Sequence, residues 1–121
     1  MFLRNKIAYV AGPYRAETEY GVKCNINRAE KVAGFLWQEG YPTICPHKNT
    51  AFFGGLTGND NDWLEGDLII LARCDFVVLV EGWENSSGTK AEIKFAEMHG
   101  IPVYESIDDF LTNYKHVDDY R

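Results

Sequence analysis

A chain of 121 residues has room for one hydrophobic core, and a single domain over 1–121 is expected. Its 45% hydrophobic and 25% charged residues suit a globular protein, and a net charge of −6 argues against a nucleic-acid polymer as partner. No apolar run approaches the roughly 20 residues needed to span a bilayer, so no membrane association is expected. Three cysteines at irregular spacing give no disulfide framework. Met1 to Lys6 meets polar residues too soon for a signal peptide. Together these features point to the cytoplasm.

Ile7 to Ala11 reads as a short buried strand, stopped by Gly12-Pro13. The polar stretch Tyr14 to Lys23 is expected to be a loop. Ile26, Ala29, Val32, Ala33, Leu36 and Trp37 then recur at helical spacing, with Asn25 as N-cap and Gly40 as the stop. Tyr41 to Cys45 is a second strand, ended by Pro46. His47 to Asn61 is a long Gly/Asn/Thr-rich loop that nonetheless holds Phe52, Phe53 and Leu56. Asp62-Trp63-Leu64-Glu65 has the spacing of a capping box and opens a helix to about Arg73. Phe76 to Val80 is the third strand, Thr89 to His99 the third helix, and Pro102 to Tyr104 a fourth strand. Ser106 with Asp109 opens a last helix to about Tyr114.

Apolar strands alternating with helices predict a three-layer α/β sandwich. Its sheet is four- to five-stranded and parallel, in flavodoxin- or Rossmann-like order. Such sheets bind ligands at the carboxyl ends of their strands. Three loops reach that edge, at 12–23, 46–61 and 81–88, and they hold most of the unusual residues.

The stretch Ser86-Ser87-Gly88-Thr89-Lys90-Ala91-Glu92 carries a strand into a helix through small residues. Two readings of Glu92 are open. Thr89-x-x-Glu92 is itself a capping-box spacing. Alternatively, the carboxylate sits in the first helical turn, kept ionised by the dipole, as a nucleophile facing the cleft. A cap folds back on its own backbone, whereas a nucleophile points away from it.

The pieces Tyr9-Val10-Ala11-Gly12-Pro13-Tyr14-Arg15, Asn25-Ile26, Pro46-His47, Asp67 with Asp75, and Ser86-x-Gly88-x-x-x-Glu92 stand in an order that resembles one family. This is the nucleoside 2-deoxyribosyltransferase superfamily, which includes the 2'-deoxynucleoside 5'-phosphate N-hydrolases. The match is closest to its small, often phage-borne members. The resemblance implies cleavage of an N-glycosidic bond by double displacement. Glu92 would attack the anomeric carbon, Asp67 would serve the departing base, and Tyr9 would lie beside the reaction centre. Such chemistry needs a carboxylate nucleophile and an acid for the leaving group. Gly12, Tyr14, Arg15, His47, Ser86 and Gly88 would hold the substrate, with Arg15 and Ser86 directed to a 5'-phosphate. Pro13 stands where the nucleotide hydrolases have a small polar residue, and proline has no N–H to offer. This weakens the case for a phosphate but not for glycosidic chemistry. The resemblance also implies a homodimer or higher homo-oligomer, with a nucleoside or nucleotide as the small-molecule partner.

Other readings accompany this one. The same scaffold suits a non-catalytic binder of a nucleotide or nucleotide-derived signal. A Gly-Thr-x-x-Glu helix start also resembles the phosphoribohydrolases that activate cytokinins, although their glycine-rich run is missing. Cys45-Pro46-His47 is not a usual zinc spacing, and Asn59 to Asp62 lacks the rest of a calcium loop. No metal or cofactor is expected. Trp63 and Trp83 border the expected cleft, and Asp75 reads as structural.

Overall fold

A computed structural model describes residues 2–46 and 60–115, with the backbone alone at 60–62. Four parallel strands form one sheet in the order β2-β1-β3-β4. They are β1 (Ala8–Ala11), β2 (Thr43–Ile44), β3 (Phe76–Leu79) and β4 (Val103–Tyr104). The helices are α1 (Glu19–Gln38), α2 (Asp60–Leu71), α3 (Ser87–Met98) and α4 (Ile107–Asn113), and a short 3-10 turn spans Trp83–Asn85. The architecture is the expected α/β sandwich with flavodoxin-like strand order.

Strand alternation divides the core in two. Ala8, Val10, Phe76, Val78 and Val80 face α1 and α4, where Ala29, Ala33, Leu36 and Phe110 pack on them. Tyr9, Ala11, Val77 and Leu79 face α2 and α3, against Leu71 and Ala96. β1 and β3 are buried along their whole length, so both read as unbroken apolar runs. On the first face, Phe110 stacks on Phe76 at 4.8 Å between centroids, and Tyr41 meets both rings edge-on.

Helix starts differ from the sequence expectation. α1 begins six residues before Asn25, and Thr18 is its cap, its hydroxyl accepting from the Gly21 N–H at 3.0 Å. The first turns escaped notice because Glu19, Tyr20 and Lys23 are exposed and carry no apolar period. α2 starts at Asp60 rather than after Asp62. α3 is capped by Ser86, not Thr89. The end of α1 matches expectation: Gly40 takes a left-handed φ of 92°, and the Tyr41 N–H returns to the Leu36 carbonyl.

The chains leaving β1 and β3 diverge to opposite faces, into α1 and α3. That makes the carboxyl edge between these two neighbours a topological switch point. Gly12 lies at this point. A Cβ there would come within 2.5 Å of Val80 Cβ, so no side chain fits between the two strand ends.

Gly12→Ala is therefore expected to destabilise the fold by about 1–3 kcal/mol in denaturant unfolding. The loss should shrink in a Val80→Gly background, where the clashing Cβ is gone. Equal losses in both backgrounds would refute the close-approach account.

Candidate active site

Tyr9 occupies the centre of β1, paired with Val77 on β3 and Ile44 on β2, and is fully buried on the α2/α3 side. Its hydroxyl donates a hydrogen bond to Glu92 Oε2. Glu92 reaches it because Thr89, Glu92 and Ala96, at spacings of three and four, share the buried face of α3. Counting from the Ser86 cap, Glu92 lies in the second turn, and the first turn has no acidic residue. This corrects the cap reading, and of the other reading it corrects the place in the first turn. The carboxylate is not part of a capping box, because the N-cap is Ser86, six residues before it rather than three. Nor does the dipole keep it ionised, since that field fades beyond the first turn.

Burial governs the electrostatics instead. Desolvation pushes the Glu92 carboxyl up to about 7, the Tyr9 hydrogen bond opposing and the nearby Asp67 carboxylate adding to the rise. Asp67, on the half-buried side of α2, is raised to about 6 by burial. Desolvation, with Glu92 and Asp67 close by, pushes the Tyr9 hydroxyl far above its ordinary value. Tyr9 therefore stays protonated and acts as a donor. Among the described residues, Tyr9 is the hydrogen-bond donor to Glu92, and Oε1 accepts no bond. The two carboxyl groups therefore titrate in overlapping ranges.

The small residues at the edge have distinct parts. Ser86 Oγ accepts from the Thr89 N–H at 3.2 Å and from the Thr89 hydroxyl at 2.9 Å. Thr89 itself is buried, and its spacing to Ser86 fixes the first turn of α3. Gly88 sits in that turn, where a Cβ would meet no atom within 4 Å, so packing does not demand a glycine. The β1–α1 and β3–α3 loops adjoin: a Cβ on Gly82 would lie 3.4 Å from Pro13 Cγ. Tyr14 is half-buried and Arg15 exposed in the first of these loops.

Tyr9, Asp67 and Glu92 are thus brought together, with Gly12, Ser86 and Gly88 along the same sheet edge. His47 lies outside the described residues. Asp75 belongs to the frame, its Oδ2 accepting from the Ile7 N–H at 2.7 Å while its own N–H donates to the Ile7 carbonyl. Trp83 packs against the α2/α3 core cluster. Sequence reasoning missed two polar residues that order the edge, Thr89 and Asn25. Asn25 was taken for a cap, yet its spacing to Ala29, Ala33 and Leu36 already placed it on the buried stripe of α1.

Residues 6–106 match the family model described as a domain of unknown function, DUF7768, and the chain belongs to that family. Comparison with curated protein sequences gives no match. Among solved structures, the fold is similar to a 2-deoxyribosyltransferase from the psychrotolerant bacterium Bacillus psychrosaccharolyticus. The TM-score is 0.58 at 20% identity, over 81% of this chain and 69% of that one. It is also similar to a conserved protein from Enterococcus faecalis V583, with a TM-score of 0.64 at 19% identity, over 96% of this chain and 80% of that one. At these identities the likeness shows a shared fold.

The raised carboxyls have a sign that stability measurements can read. Between its ordinary value of 4.5 and about 7, Glu92 binds more protons folded than unfolded. Its contribution to stability is therefore full at low pH and declines as pH rises through that window. Glu92→Gln carries no such titration. It is expected to unfold with a flatter pH dependence and to be more stable than wild type at pH 8 by about 1–3 kcal/mol. A variant less stable than wild type at pH 8 would contradict a buried, strained carboxylate.

Proposed function

We propose that this protein is a single-domain enzyme acting on the N-glycosidic bond of a nucleoside or nucleoside 5'-monophosphate. The observation that carries this reading is the buried Tyr9–Glu92 hydrogen bond with Asp67 close by, at the switch point of a parallel sheet. A carboxylate buried at a free-energy cost, with a fixed donor on one oxygen and the other unbonded among the described residues, suits a nucleophile better than a structural anchor. The fold shared with a 2-deoxyribosyltransferase supports the same substrate class.

Glu92 attacks the anomeric carbon through a carboxylate oxygen as the bond to the base breaks. The base leaves with the electron pair and takes up a proton from the Asp67 carboxyl. The resulting glycosyl ester is resolved by water, whose proton returns to Asp67, or by a second base accepting the sugar. Tyr9 keeps the attacking carboxylate oriented and lowers the pH at which it ionises. The reactive state has Glu92 ionised and Asp67 protonated; with Asp67 raised to about 6 and Glu92 to about 7 it is the minor one-proton form of the two, and its share is greatest between those values. Gly12, Tyr14, Arg15, His47, Ser86 and Gly88 are the substrate-binding set, Arg15 supplying positive charge for an anionic substrate. The working form is a cytoplasmic homo-oligomer, a dimer or larger. Among the described residues no helix is long and apolar enough to cross a membrane.

Incubation with a panel of deoxy- and ribonucleosides and their monophosphates, with and without a second free base, should release or exchange base on chromatography. Glu92→Ala should lose more than about a thousandfold in kcat/KM. Turnover unchanged in that variant removes Glu92 as nucleophile. Tight ligand binding by a wild type that turns nothing over would identify a binder instead.

The pH profile of kcat/KM is expected to be bell-shaped, with its maximum between about 6 and 7. Tyr9→Phe should move the alkaline limb to higher pH, because without the hydrogen bond Glu92, the later of the two carboxyls to ionise, gives up its proton at higher pH. Asp67→Asn should abolish the alkaline limb, because no acid is left there to ionise. Profiles that coincide across these three proteins would rule out the assigned roles.

A further inference from the structure

Asn25 stands out among the polar residues that the reaction scheme leaves unused. It lies inside α1, is 8% exposed, and is bonded at every point of its amide plane. Nδ2 donates to two consecutive carbonyls, Tyr14 O at 3.1 Å and Arg15 O at 3.2 Å. Oδ1 accepts from Arg28 Nη1 at 2.9 Å, one turn further along the helix. A guanidinium can only donate, so Arg28 requires the amide oxygen on its side and turns the NH2 group toward the loop. The two outward-facing carbonyls of the loop thereby find fixed donors.

The loop so held is the one that matters at the edge. It joins β1 to α1, belongs to no strand or helix between Ala11 and Glu19, and carries Tyr14 and Arg15. Asparagine is a poor choice inside a helix, since its amide competes with the backbone ladder. Burying one costs more unless its bonds are all made. A helix-interior position spent on an amide that serves another segment's backbone is the arrangement of a clamp.

We propose that Asn25 is a positioning residue. Through the carbonyls of Tyr14 and Arg15 it sets the conformation of the β1–α1 loop, and through that loop the affinity for substrate. The substrate half of this statement rests on the N-glycosidic reading, whereas the clamp itself does not.

Asn25→Asp tests it, because aspartate removes both donors while keeping an oxygen for Arg28. Asn25→Ala serves as the second variant. Hydrogen exchange of the unliganded protein should show amides 14–18 exchanging about tenfold faster, with α1 beyond residue 29 unchanged. In turnover, KM should rise about tenfold with kcat within about threefold. In an Arg15→Ala background the KM effect of Asn25→Asp should fall below about twofold, because the same loop residue is already lost. Unchanged exchange at 14–18, or exchange raised equally along α1, overturns the clamp. A faster loop with KM unmoved, or kcat falling at constant KM, overturns its link to substrate. A wild type without turnover defeats the glycosidic reading alone and leaves hydrogen exchange to decide the clamp.

Discussion

Placing a carboxylate on the sheet-facing side of α3 is the constraint that organises this molecule. A glutamate among Ala96, Thr89 and the buried strands cannot ionise freely, and an apolar residue at that position would pack with less strain. The arrangement holds because Tyr9, itself fully buried, spends its hydroxyl on Glu92. Tyr9 in turn depends on Glu92, since a buried phenol without a partner is costly. Neither group has another reason to be polar. Asp67 on the neighbouring helix raises the stakes by adding a second carboxyl to the same low-dielectric region. Stability is given up at one point of the core, and a carboxyl that titrates near neutral pH is what that loss leaves there.

The rest of the edge serves to bring segments close without filling the space between them. β1 and β3 end side by side, and Gly12 lets the backbone pass against Val80 where any side chain would collide. Ser86 and Thr89 satisfy each other at the start of α3, so the first turn is closed by short side chains. On the far side of β1, the amide of Asn25 draws in the loop that carries Arg15. Each device uses a small or neutral polar group.

Much of this was legible from residues alone, and the failures have a common cause. β1 and β3 were recognisable because strands buried on both faces are written as continuous apolar runs. The ligand-binding edge followed from strand–helix alternation. Tyr9, Asp67 and Glu92 were singled out by family resemblance, and nothing in their spacing indicates that one donates to another across 83 residues. The start of α1 was misplaced because an exposed first turn has no hydrophobic period to read. Asn25 and Thr89 were misread as caps because both residue types favour helix starts. Their true partners, a distant loop and a serine already engaged by the backbone, exist only once the chain has folded.

The long sequence separation of Tyr9 and Glu92 also bears on how the protein is made. The two meet only after β1 has paired with β3 and α3 has docked, which closes a loop holding α1, β2 and α2. Contacts of this range are entropically late and make parallel sheets slow to form. A fragment that lacks β1 or α3 therefore cannot hold the Tyr9–Glu92 bond, and a nascent chain cannot make it before residue 92 has been synthesised. The Tyr9–Glu92 pair becomes a record of completed folding: a chain that possesses it has already assembled its central strands.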